Sequence, residues 1–184
     1  MYTIIVSLPE NLLTTVEPYR QKYDPLNQVI PPHITLVDPF QFTAPLDTLV
    51  DHLKEVGDFH SPIKVFLVGW DSYESKEYQL HVPMTAGHKQ LVTLHYDILG
   101  GPLSYLAGKI TDYWPRVIFG RFSPAQQLEF ETAKKELADF TPKFVARIKH
   151  IELLHRDDLG QSWQRLYQFG LKATMAGRAR RESS

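Results

Sequence analysis

Residues 31–40 read PPHITLVDPF, a proline-entered apolar run that marks a strand and carries His33 and Thr35 two positions apart. Side chains two apart on a strand share a face, so His33 and Thr35 project together while Ile34 and Leu36 turn to the other side. A second proline-entered apolar run, WPRVIFGRF, spans 114–122. The organisation of the chain follows from placing its other segments around these two strands.

In the first half, YTIIVSL (2–8) reads as a strand and ENLLTTVEPYRQKY (10–23) as a helix that Pro18 should kink or end. PLDTLVDHLKEVGDF (45–59) has Leu46, Leu49, Leu53 and Val56 at helical spacing behind an N-terminal proline. IKVFLVGW and EYQLHVP read as strands joined by a turn, WDSYESKE. In the second half the apolar spacing is helical from Gly87 to Tyr105, broken by Gly100-Gly101-Pro102. Ser123-Pro124 then opens a helix carried by Leu128 to Phe140, and KFVARIKHIELLHRDD and WQRLYQFGLK supply further strands.

The halves resemble each other: YTIIVSL matches YQLHVPM, PHITLVDPF matches PRVIFGRFS, APLDTLVDHLKEVGDF matches SPAQQLEFETAKKELADF, and SPIKVFLV matches TPKFVARI. The order is β-α-β-α-β in each. The fold expected is α+β, one two-lobed domain over 1–172 with an internal repeat of about 1–73 and 76–172 enclosing a central cleft. A basic, flexible tail of 173–184 follows, carrying Arg178, Arg180 and Arg181.

The bulk composition narrows the function. Lys plus Arg number 20 against 21 Asp plus Glu, so no strong field advertises duplex DNA binding, although a phosphate pocket needs only a few cations. Cysteine is absent, which removes disulfides, thiolate nucleophiles and cysteine-rich zinc sites and fits a cytoplasmic protein. No apolar run is long enough for a membrane span, so the chain reads as soluble, and a monomer is expected.

An imidazole that exchanges protons near neutral pH, beside a hydroxyl that can donate to a phosphoryl oxygen, is a half-site for phosphoester chemistry. In-line attack needs a base for the incoming group and an acid for the leaving oxygen at opposite ends of the displacement. An isolated H-x-T is weak in a chain with 8 histidines; the prolines, the strand pattern and the repeat that supplies a matching strand give it weight.

Pro32-His33-Ile34-Thr35-Leu36, set in a duplicated α+β pattern over about 1–172, resembles the 2H phosphoesterase superfamily, which includes 2′-5′ RNA ligase-like proteins and cyclic nucleotide phosphodiesterases. The resemblance implies two H-x-T/S motifs, one per half. Their histidines serve as metal-free acid and base on 2′,3′-cyclic or related phosphates, and their hydroxyls bind the phosphate. It implies no cofactor and no metal. The second motif here is Pro115-Arg116-Val117-Ile118-Phe119, with Arg116 in the histidine's place and Ile118 in the hydroxyl's. Arginine stays charged and can clamp a phosphate but cannot exchange a proton, and isoleucine offers no hydrogen bond.

Two readings follow. In one, His33, Thr35 and Arg116 bind a phosphate of an RNA end or nucleotide, Arg121 helps, and cyclic phosphodiesterase turnover is weak or lost. In the other, a histidine elsewhere, from among His81, His150 and His155, fills the vacancy. A third class is a non-catalytic partner-binding protein, and a metal-dependent hydrolase would be exposed by chelation. Phe40, Tyr113 and Trp114 are candidates to stack a base. His88 and His95, seven apart on a helix, share a face but lack a third metal ligand. His155-Arg156-Asp157-Asp158 reads as a turn.

Overall fold

The computed structural model describes residues 1–108 and 113–173 of the 184. Arg178, Arg180, Arg181 and the rest of the basic tail from 174 onward lie outside the described residues. The elements run β1 (Tyr2–Ser7), α1 (Glu10–Tyr23), β2 (His33–Phe40), α2 (Leu46–Phe59), β3 (Ile63–Val68), β4 (Asp71–Glu74) and β5 (Tyr78–Ala86). They continue with α3 (His88–Ile98), α4 (Ser104–Ala107), β6 (Arg116–Phe122), α5 (Gln127–Glu136), β7 (Lys143–Ile148), β8 (His150–His155) and β9 (Gln164–Gly170).

The strands form two antiparallel sheets, so the fold is α+β as its pattern foretells. One sheet has the order β2-β1-β8-β9; in the other β5 lies between β6 on one side and β4 and β3 on the other, with β7 beyond β3. Each sheet therefore takes strands from both halves of the chain: β8 closes on β1, and β7 pairs with β3. The proline-entered strands β2 and β6 are the outer members of their sheets and lie against each other.

Alternation sorts the strand residues. On β3, Ile63, Val65 and Leu67 are buried, and on β7 Phe144, Ala146 and Ile148 are, while the residues between them face outward. Helix α2 turns Leu49, Leu53 and Val56 inward, each worth about 1.5–3 kcal/mol when fully buried. These residues share one core with Leu12 and Val16 of α1 and Leu91 and Leu94 of α3.

Three local expectations change. Helix α1 runs through Pro18 to Tyr23 instead of ending there; buried Leu12, Val16 and Arg20 hold it against the roughly 3 kcal/mol that an interior proline costs. The segment read as a turn after Trp70 contains β4, which pairs with β5 from Asp71↔His81 to Glu74↔Tyr78. Helix α5 stops at Glu136, short of Phe140, after a 3-10 turn over Pro124–Gln126 that is capped by Ser123 and Gln126.

Candidate functional site

The β1–β2 and β5–β6 strand pairs share the same register around one bulge. Ile5 opposes Thr35 and Ile4 opposes Val37, so Leu36 is the extra residue; His81 opposes Ile118 and Leu80 opposes Gly120, so Phe119 is. Each bulge re-aims the residue beyond it. On an unbroken strand Arg121 would face away from Arg116 and Ile118, yet all three line one groove, as do Thr35 and Asp38 on β2. Gly120 follows the bulge at a close approach: a Cβ there would lie 3.1 Å from Leu80 Cδ1 and 3.2 Å from Leu80 Cβ.

The groove, ≈ 340 Å³, lies where β2 meets β6 and is also lined by Glu77, Gln79, His95, Tyr113 and Trp114. His33 stands next to it, joined through Thr35. Its Nδ1 is 2.7 Å from the Pro31 carbonyl and its Nε2 is 3.1 Å from the Thr35 hydroxyl. A carbonyl only accepts, so Nδ1 carries the proton and the Nε2 lone pair accepts from Thr35. Burial, with the positive charges of Arg121 and Arg20 adding to it, pushes the imidazole down to about 4, and the Pro31 bond only partly opposes this. His33 is thus neutral near pH 7 with a basic nitrogen beside the hydroxyl.

Arg116 donates from Nε and Nη2 to Gln79 Oε1 at 3.2 and 2.7 Å and from Nη1 to the Trp114 carbonyl at 3.3 Å. Its guanidinium also lies 4.8 Å from the Trp114 ring centroid and 5.5 Å from that of Tyr73. Arg121 places Nη1 2.8 Å from both oxygens of Asp24, whose carboxylate is 0% exposed and also accepts from Arg20 Nε at 2.9 Å. Arg20 in turn donates to the Ile30 carbonyl at 2.8 Å. A chain of polar contacts therefore runs from the groove through Asp24 to the loop that delivers His33.

The stacking candidates separate. Tyr113 and Trp114 line the groove; the Tyr113 hydroxyl donates to the Thr35 carbonyl at 3.0 Å, and burial raises its pKa, so it remains a donor. Phe40 does not line the groove. It is 5% exposed and packs on Tyr2 at 6.0 Å, because β2 turns its last residue into the core.

The histidines named as replacements lie elsewhere. His81 is 0% exposed beneath Trp114, ring centroids 4.8 Å apart, and neither ring nitrogen has a hydrogen-bond partner among the described residues. His150 is exposed on β8, and His155 packs on Tyr2 at 4.8 Å. The histidine that does line the groove is His95, which the sequence offers only as a metal partner of His88. Its Nδ1 donates to the Leu36 carbonyl at 2.6 Å, its ring stacks on Tyr113 at 3.9 Å, and its buried Nε2 has no partner among the described residues. Burial lowers its pKa. Asp24, Arg20 and Gln79 are likewise absent from the sequence reading, since their roles depend on contacts between distant segments. Among the described residues, no three His, Cys, Asp or Glu side chains cluster to hold a metal ion, and no helix is long and apolar enough to cross a membrane.

Comparison with known proteins agrees with this architecture. The model of the 2′-5′ RNA ligase superfamily matches residues 8–160. A Bacillus licheniformis protein, named only provisionally as a phosphoesterase, is 26% identical over 103 residues, which are 55% of this chain and 60% of that protein. The match thus spans about three-fifths of the curated relative's length. A crystal structure of a Thermus thermophilus protein superposes with a TM-score of 0.61 at 15% identity, covering 93% of this chain and 97% of that one. Escherichia coli LigT complexed with 3′-AMP gives 0.59 at 14% identity, covering 92% and 97%.

Proposed function

The chain belongs to the 2′-5′ RNA ligase superfamily, and we propose that its groove binds a phosphate of an RNA end or a nucleotide. In this reading 2′,3′-cyclic phosphodiesterase turnover is weak or lost, because Arg116-Val117-Ile118 stands where a second His-x-Thr would supply an acid or base. The observation that carries it is the convergence of Thr35, Arg116 and Arg121 on one groove with the His33 lone pair behind Thr35. The LigT structures with 3′-AMP and with phosphate support a phosphate ligand by analogy of fold.

The chemistry follows from the side chains. The Thr35 hydroxyl, released from Nε2, donates to a phosphoryl oxygen, and Arg116 turns guanidinium donors from Gln79 toward the anion. Nε2 of His33 is then free to accept a proton from an attacking hydroxyl. An arginine at the opposite end leaves the departing oxygen without a proton donor, and the missing acid–base share is worth about 10²–10⁴-fold in rate. The protein acts in this reading as a cytoplasmic monomer.

The test is a metal-free titration with 3′-AMP and with 2′,3′-cyclic AMP, recording affinity and turnover. Saturable binding weakened about 10–100-fold by Arg116→Ala, with slow or no turnover, supports the reading; absence of binding removes it.

A second reading is favoured by the unpartnered Nε2 of His95. Here His95 supplies the second proton-transfer group and the protein is an active, metal-independent phosphodiesterase. His95→Asn then abolishes turnover of 2′,3′-cyclic AMP while leaving 3′-AMP affinity within about twofold, whereas in the first reading it changes neither.

A further inference from the structure

We infer that the open face of the second sheet, running from the groove across β5 and β3 to β7, binds the backbone of a single-stranded RNA whose end occupies the groove. This rests on the groove being a site for an RNA phosphate, and deepens that reading from a terminal phosphate to a strand.

The strand registers place the groove and this surface on one face. Arg116 opposes Pro83 and Ile118 opposes His81, so the groove side of β6 continues onto β5. Leu67 opposes Met84 and both are buried, which leaves Phe66 and its neighbours Lys64 and Val68 on the groove side of β3. They in turn oppose Val145, Arg147 and Lys143 of β7. From β6 to β7 is three strand spacings, about 14 Å.

The charge on this face is unusual for a surface selected only for folding. Lys64 and Arg147 are exposed and directly opposite each other, an arrangement of like charges that destabilises a sheet. Lys143 begins β7 on the same face and Lys149 follows just beyond its end, both exposed. Among the described residues none of these four cations has a carboxylate within 4.0 Å. Cations on an edge strand can serve to block edge-to-edge aggregation, which accounts for β7. Lys64 sits on β3, an inner strand, where that explanation fails.

Apolar and aromatic surface is interleaved with the charge. Phe66 lies beneath the Lys64 ammonium at 4.9 Å, Val145 is 51% exposed, and Tyr73 and Trp114, 43% and 36% exposed, flank Arg116 at the groove. Cations that follow a backbone beside rings on which bases can stack are the usual means of holding single strands. Asp71 opposes His81 on β5, which opposes Ile118 of the groove, so this carboxylate lies nearer the groove than the Lys64–Arg147 pair, and Glu77 lines the groove itself.

The test compares a ten-nucleotide RNA ending in a 3′-phosphate with 3′-AMP, titrated at several salt concentrations against the unmodified protein and the double variant Lys64→Gln, Arg147→Gln. The unmodified protein is expected to bind the oligonucleotide at least about tenfold more tightly than 3′-AMP. The double variant should lose that advantage, keep its 3′-AMP affinity, and lower the slope of log K against log salt by about 1.4 for two lost phosphate contacts. Its thermal midpoint should be unchanged or higher, since a like-charge pair has gone. If oligonucleotide affinity and salt slope are unchanged while 3′-AMP still binds, the strand-binding face is wrong and the groove reading stands. If neither ligand binds the unmodified protein, both fall.

Discussion

His33 and Arg116 occupy equivalent register positions in two antiparallel strand pairs: His33 opposes Ser7 across β1–β2, and Arg116 opposes Pro83 across β5–β6. One position carries a neutral imidazole whose Nε2 faces a hydroxyl, the other a permanent cation held by Gln79 and stacked near Trp114. The two walls of the groove are therefore alike in backbone register and different in side chains.

Gly120 lies beside the bulge that aims Arg121, in close approach to Leu80 and Phe122. Gly120→Ala places a methyl 3.2 Å from Leu80 Cβ and 3.3 Å from Phe122 Cε2, and Leu80 Cβ sits too near its own backbone to yield. We expect destabilisation of about 1–3 kcal/mol in urea unfolding, together with weaker 3′-AMP binding. A variant as stable as the parent contradicts the steric account.

Asp24 answers two arginines from a fully buried position. Burial alone would raise its pKa, but the charge of Arg121 and the bonds to Leu26, Arg121 and Arg20 outweigh that and hold it below the usual carboxylate range. A depressed pKa means this stability is present above the ordinary carboxylate pKa and lost as pH falls through the folded value. Asp24→Asn should cost about 3–5 kcal/mol at pH 7 by leaving buried positive charge uncompensated. A loss below about 1 kcal/mol would show that water already shares the load.

His81 is a buried imidazole with both nitrogens unpaired among the described residues, its pKa pushed from 6.5 to about 4 by burial first and the Arg116 charge second. Above 6.5 both folded and unfolded forms are neutral and the group is silent. Below it the unfolded chain takes the proton first, so stability falls as pH drops toward 4, by up to about 3 kcal/mol. His81→Leu should raise stability at pH 7 by about 1 kcal/mol and flatten the acid limb of a thermal-melt pH series. An unchanged acid limb would contradict the assignment.

The reach of the sequence can be judged from particular residues. Strand parity alone places His33 and Thr35 together, and the matched proline-entered segments anticipate β2 and β6 as the walls of one groove, since both facts are local to a few residues. Arg121 is legible as a candidate phosphate ligand, but that it shares a face with Arg116 depends on the bulge at Phe119, which is visible only once β6 is paired with β5. His95 is not legible as a groove residue because a helical position gives no sign of which strand will accept from its ring; the acceptor is Leu36, 59 positions away in sequence. Phe40 misleads for the opposite reason: proximity to the motif along the chain does not keep a side chain at the groove when the strand end turns inward.

In the proposed reading, Arg116 and Ile118 stand where the second half of an acid–base pair would complete the phosphate groove. The most direct measurement is the metal-free initial rate on 2′,3′-cyclic AMP of the unmodified protein beside the double variant Arg116→His, Ile118→Thr. The variant is expected to be at least about 10²-fold faster, with the gain abolished by adding His33→Ala. A parent enzyme that already turns over the cyclic phosphate rapidly, with no increase in the variant, would contradict this reading.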